Sequence, residues 1–229
     1  VDTIGISLEG ARSHFHKAKR VVLTGNPIAS QVIAADAKQG YEFLGISEGK
    51  KVILIFGGSR GAMPINQRVI ELFPFISGRS DEHYVFVPGA SNLEQVEKIL
   101  AESQLTLPEN LTIYPYLYNM PDVLKATRLL ISRAGASTLA EITALGLASI
   151  LIPSPYVTTN HQEKNARWLE QAQAAEVITE AELTADLLAE KIEHVLDQHG
   201  YYSENAARLG ITDAASRIYQ ELKQLLNNR

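Results

Sequence analysis

The sequence predicts an α/β fold: a Rossmann-like parallel sheet flanked by helices. Three observations carry this. Short apolar runs alternate with helix-like segments over most of the chain. Hairpin turns between the runs are mostly missing, so the strands are joined through helices as right-handed βαβ units. The runs are almost continuously apolar, as strands covered on both faces must be.

Taken in order, residues 20–24 (RVVLT) form a short apolar run. Gly25-Asn26-Pro27 closes it, and the proline biases Asn26 to an extended backbone. Polar residues follow, so 27–49 reads as a linker and lead-in. Residues 51–56 (KVILIF) are a strand, and 64–76 a helix with Pro64 in its first turn. Strands follow at 83–87, 111–114, 129–132, 149–152 and 176–179. Helices fall at 93–101, 121–126, 138–145 (stopped by Gly146) and 161–172. Helices fill the rest, with breaks near Gly200 and Gly210. The last, 212–228, places Ile218, Leu222, Leu225 and Leu226 roughly on one face.

Composition narrows the function classes. A chain of 229 residues with 45% hydrophobic and 21% charged residues folds around a substantial core. Its net charge of −5 supplies no bulk attraction to nucleic acid. The absence of cysteine excludes disulfides, thiolate metal sites and cysteine nucleophiles. The six histidines show no metal-ligand spacing. No apolar run approaches the ~20 residues that span a bilayer. The first residues carry neither an initiator Met nor a signal-peptide pattern, and a fragment or a processed chain is the expectation.

Ligands of open α/β sheets bind beyond the carboxyl ends of the strands, and four loops there carry candidate chemistry. Gly57-Gly58-Ser59-Arg60-Gly61-Ala62 lets backbone approach a phosphate, with Ser59 adding a hydroxyl, or it is a plain tight turn. It is neither a Walker loop nor a dinucleotide fingerprint. Arg133-Ala134-Gly135-Ala136-Ser137-Thr138 exposes donors at a helix start, where a pyrophosphate would sit. Taken alone, the same stretch reads rather as a capping box, Thr138-x-x-Glu141. If Glu141 is not used in the cap, it is free to accept from ribose hydroxyls. Asn160-His161-Gln162-Glu163 offers a carboxamide suited to sugar hydroxyls, or a helix start capped by Asn160 with Glu163. Tyr114-Pro115-Tyr116-Leu117-Tyr118-Asn119-Met120 is an aromatic loop against which a base could pack, or a cap on the sheet edge. No Ser–His–Asp set, nucleophile elbow or close carboxylate pair stands out, so binding is more legible than catalysis.

Three blocks together carry a resemblance: LTGNP at 23–27, FGGSRGA at 56–62, and SRAGASTLAEITALG through ILIPSPYVTTNHQEKNA. They resemble the C-terminal half of the MurG family of bacterial glycosyltransferases. That family adds N-acetylglucosamine to undecaprenyl-linked muramyl-pentapeptide in peptidoglycan synthesis. The resemblance implies one half of a GT-B architecture. Residues 1–26 would be the end of the N-terminal domain, 50–211 the UDP-sugar donor domain, and 212–229 a C-terminal helix. It implies a diphosphate contact at Ser59 and a uracil contact at the Leu117 backbone, with Tyr116 and Met120 beside it. Ala136, Ser137 and Thr138 would contact phosphate and sugar, Glu141 the ribose, and Gln162 with His161 the sugar hydroxyls. An inverting reaction without metal or cofactor is implied, with UDP-N-acetylglucosamine as donor and a lipid-linked muramyl-pentapeptide as acceptor. The general base and acceptor site would lie in the N-terminal domain. The implied location is the bacterial cytoplasm, peripheral on the cytoplasmic face of the membrane. One departure stands out: where many members have an arginine after the GNP turn, Ile28, Ala29 and Ser30 follow. Arg60 and Arg133 are the candidates to replace it. Two alternatives remain at this stage: a stand-alone binding subunit of a split glycosyltransferase, and a sugar-nucleotide epimerase of similar fold.

Overall fold

A computed structural model describes residues 1–59, 61–103, 105–157 and 160–227, less the side chains of Ser13 and His14. Strands β1 (Ile4–Ile6) and β2 (Val21–Leu23) pair in parallel as a small separate sheet, with a 3-10 helix at Glu9–Phe15 between them. Helices α1 (Ile28–Ile33) and α2 (Ala37–Leu44) occupy the stretch expected as linker and lead-in. Then come β3 (Lys51–Phe56), α3 (Met63–Glu71), α4 (Phe73–Ile76), β4 (Glu82–Val87), α5 (Leu93–Ser103), β5 (Leu111–Ile113) and α6 (Met120–Ala126). The chain continues through β6 (Thr127–Ser132), α7 (Ala136–Leu145), β7 (Ala148–Leu151), α8 (His161–Gln171) and β8 (Glu176–Val177). It ends in α9 (Ala185–Asp197), α10 (His199–Arg208) and α11 (Ala214–Asn227).

The main sheet has the order β5-β4-β3-β6-β7-β8, with every pair parallel. Strand side chains alternate between faces, and β3 divides the core accordingly. Ile53 and Ile55 pack on one side with Val69 of α3, Phe73 of α4 and Ile192 of α9. Val52, Leu54 and Phe56 pack on the other with Val32 of α1, Val123 of α6 and Leu139 of α7. The double-sided burial read from KVILIF is therefore observed.

The differences have local causes. The helix expected over 64–76 is two helices meeting at Leu72. The break expected near Gly200 falls at Gln198, with Gly200 itself inside α10. The break at Gly210 holds, because a Cβ there would meet the Thr143 carbonyl oxygen at 2.4 Å. Helix α2 has readable ends: Asp36 accepts from the Lys38 N–H, and Gly45 closes the helix in the left-handed region. Gly40 inside it disguised the pattern. A Cβ at Gly40 would lie 2.3 Å from the Asp122 carbonyl oxygen, so the glycine lets α2 press against α6. Helix α11 keeps Leu222 and Leu226 exposed, while Glu221 ion-pairs with Arg20 beside β2. No helix among the described residues is long and apolar enough to cross a membrane.

Candidate functional site

Strand order locates the site. After β3 the chain steps to β4 and β5 on one side, then returns to build β6, β7 and β8 on the other. The crevice between the carboxyl ends of β3 and β6 is thus a topological switch point, where open α/β sheets bind ligands. The Gly57–Ser59 turn leaves β3 on one lip, and the Arg133–Gly135 turn leaves β6 on the other.

On the first lip, Ser59 is exposed. Gly58 takes φ +90°, and Gly61 takes φ +70° with its Cα so near Pro88 that a Cβ would sit 1.8 Å from the carbonyl oxygen. Buried Asn66 donates to that same carbonyl at 3.1 Å, and Asn92 at 3.0 Å. The turn is therefore held tightly from beneath. Arg60 lies outside the described residues.

On the second lip, Gly135 is the N-cap of α7 and makes no side-chain cap. Ala136, Ser137 and Thr138 form the first turn, whose N–H groups have no intrahelical acceptor. Thr138 is inside the helix, so Thr138-x-x-Glu141 is not a capping box; that reading is corrected. A Cβ at Gly135 would meet only the Thr138 hydroxyl, at 3.9 Å. The protein's own packing does not demand glycine there. Glu141, one turn further along the face that carries Ser137, makes no hydrogen bond or ion pair with a described residue. Burial pushes its carboxyl up to about 7.

Helix α8 braces both loops. The Gln162 carboxamide oxygen accepts from the Ser154 N–H at 3.0 Å. Asn165 donates to the Ala134 carbonyl at 3.1 Å. Asn160 adopts a left-handed backbone, φ 51°, and donates to the Glu163 carboxylate without accepting from a helix N–H. Only half of the expected cap is present. His161 is exposed and lines a cavity of about 260 Å³ with Leu8, Phe15 and Trp168.

At the far end of the rim, Leu117 is buried. Tyr116 is half exposed and meets Tyr118 edge-on at 4.9 Å. Met120 opens α6 beside it. Arg133, the other candidate to replace the missing arginine, is already committed: it donates to the Ile152 carbonyl at 3.1 Å and pairs with Glu180. Asn26 is the residue that sequence reasoning missed. Its amide reaches the Ser137 hydroxyl at 3.4 Å, bringing the GNP turn to the α7 start. The Asn-Pro turn was visible, but its partner 111 residues away was not.

A parallel α/β unit with glycine turns on both lips of its switch point and an uncapped helix start has the build of one half of a GT-B glycosyltransferase. Residues 52–221 match the glycosyltransferase family 28 C-terminal domain, and the chain belongs to that family. It is 46% identical over 228 residues to the UDP-N-acetylglucosamine–N-acetylmuramyl-(pentapeptide) pyrophosphoryl-undecaprenol N-acetylglucosamine transferase of Bacillus licheniformis, covering 98% of this chain and 61% of that protein. The Bacillus subtilis protein of the same name is 43% identical, with 62% of it covered. The chain thus spans about three fifths of the length of these relatives. Among solved structures, MurG of Acinetobacter baumannii superposes with a TM-score of 0.71 at 21% identity, over 97% of this chain and 66% of that one. A putative UDP-N-acetylglucosamine 2-epimerase from Listeria monocytogenes gives 0.67 at 18% identity, over 91% and 54%.

Proposed function

We propose that this chain is the donor-binding part of an inverting glycosyltransferase. The full protein would move N-acetylglucosamine from UDP-N-acetylglucosamine to a lipid-linked muramyl-pentapeptide in peptidoglycan synthesis. The observation that carries the reading is the uncapped α7 start facing the glycine turn across the switch point. The rim's order adds support. The loop after β5, with Tyr116, Leu117 and Met120, would take uracil. Ser59 and the first turn of α7 would take the diphosphate, Glu141 the ribose, and Gln162 with His161 the sugar. With strands about 4.8 Å apart, β5 and β6 are separated by about 14 Å, a span suited to an extended nucleotide.

In the proposed reaction the 4-hydroxyl of the muramyl sugar attacks the anomeric carbon. The bond to the diphosphate oxygen breaks, and UDP leaves. Negative charge grows on the leaving group, where the N–H groups of Ala136, Ser137 and Thr138 would stabilise it without reorganising. The hydroxyl proton goes to a base on the other wall of the cleft. Residues 1–26 would end that preceding domain, 50–211 would form the donor domain, and 212–229 the closing helix. The protein would work peripherally at the cytoplasmic membrane face.

Calorimetric titration of the chain with UDP-N-acetylglucosamine, UDP-glucose and UDP tests this. Preference for the first is expected. Gln162→Ala should cost that sugar about 1 kcal/mol while leaving UDP affinity unchanged. Equal affinity for all three in both proteins would remove Gln162 from the sugar site. No transfer to lipid acceptor by this chain alone is expected, and turnover would place the base within it.

A further inference from the structure

The opposite end of the sheet carries a basic concavity for which the donor-site reading has no use. It opens at the amino ends of β3 and β6, beneath the start of α10, with a volume of about 560 Å³. Lys50, Lys51, Lys125, Arg128 and His199 line it with Ser203, and no carboxylate does. That is four permanent cations in one hollow of a chain whose net charge is −5.

Arg128 is there by construction. The register between β3 and β6 slips at that point: Val52 pairs with Thr127, but Ile53 pairs with Leu129. Arg128 is the extra residue of a β-bulge, and a bulge re-aims the side chain it carries. Its neighbours Thr127 and Leu129 are buried, while Arg128 is exposed. Neither Arg128 nor Lys125 has an ion-pair partner among the described residues. Lys51 is paired with Asp81 at 2.8 Å, outside the hollow, and Lys50 donates to the Ser80 carbonyl.

The like charges act on one another. His199 is held below its ordinary value by burial and, secondarily, by the charge of Arg128. Lys51 is raised by Asp81, while Arg128 pulls it the other way. A helix-dipole role explains Lys125, in the last turn of α6, but Arg128 starts a strand and has no such role. Helix α10 also begins at His199 without a side-chain cap, adding its positive end to the same rim.

We propose that this hollow is a second anion site, taking a phosphate group of a soluble phosphorylated compound or of an anionic lipid headgroup. Lys125 and Arg128 would supply the charge-assisted hydrogen bonds, and the α10 start the neutral donors; the Ser203 hydroxyl is already donated to the Gly146 carbonyl at 2.7 Å. The site lies a strand's length from the donor rim and does not depend on what binds there.

The test is an NMR titration of the whole chain with sodium pyrophosphate at low ionic strength, beside sedimentation with vesicles of phosphatidylglycerol or of phosphatidylcholine. Saturable shifts at the amides of Arg128, Leu147 and His199 are expected, on a curve separate from that of Ser59 and Ala136. The exposed pair Lys125→Gln/Arg128→Gln should weaken this binding at least about tenfold and leave the melting temperature and UDP affinity unchanged. Saturation by pyrophosphate identifies a soluble ligand. Binding confined to phosphatidylglycerol vesicles, and lost in the double variant, identifies the headgroup. If neither probe binds, or if both bind the double variant as well as the native chain, the proposal is wrong.

Discussion

Glu141 offers the sharpest quantitative test. Its carboxyl is raised from 4.5 to about 7 by burial. At about 1.4 kcal/mol per pKa unit, keeping the charged form folded costs at most about 3 kcal/mol, trimmed toward 2 by partial exposure. The folded value lies above the unfolded one. The group's contribution is therefore fully present below about 4.5 and lost as pH rises through about 7. Glu141→Gln preserves shape and removes the titration. Urea unfolding at pH 5 and pH 8.5 should show the variant gaining on the native chain by about 2–3 kcal/mol across that window. On the proposed site, ribose hydroxyls bind the ionised form, so native affinity for UDP-N-acetylglucosamine, whose doubly esterified diphosphate does not itself titrate near neutrality, should fall below pH 7, approaching tenfold per unit. Calorimetry in buffers of different ionisation heat should record about half a proton released at pH 7. The variant should bind more weakly and without pH dependence. A stability gap equal at both pH values refutes the desolvation reasoning. A changing gap with pH-independent native affinity would keep the carboxyl buried but take it out of the site.

Two further substitutions test the site's supports. Gly61→Ala forces a Cβ against the Pro88 carbonyl at a φ of +70°, and should cost more than about 2 kcal/mol, seen as a melting temperature lowered by at least about 4 °C. Arg133→Ala strands Glu180, both being only 11% exposed, and should cost about 3 kcal/mol. Arg133→Ala/Glu180→Ala should recover part of that loss, and a double-mutant cycle with no coupling would show the pair to be incidental.

Much of the fold was legible because its signals are local. KVILIF announces a doubly covered strand, and the small-residue run before Leu139 announces a helix start. Both follow from side-chain periodicity and backbone freedom. Helices α1 and α2 escaped because one is short and the other carries Gly40, whose reason is the Asp122 carbonyl of a distant helix. The capping reading of Thr138 and Glu141 failed for a related reason: sequence placed the helix start at Thr138, and the structure begins α7 at Ala136. Local pattern was enough for the strands of the main sheet, the glycine turns and the kinds of side chain at each loop, since these rest on neighbours in the chain; the three-residue β1 was too short to read. Only the tertiary structure decided which loops meet. Strand order made β3 and β6 the switch point, set Asn26 against Ser137, committed Arg133 to Glu180, and left Glu141 without a partner among the described residues. Those outcomes depend on contacts between residues far apart in the chain, whose energies no local pattern encodes.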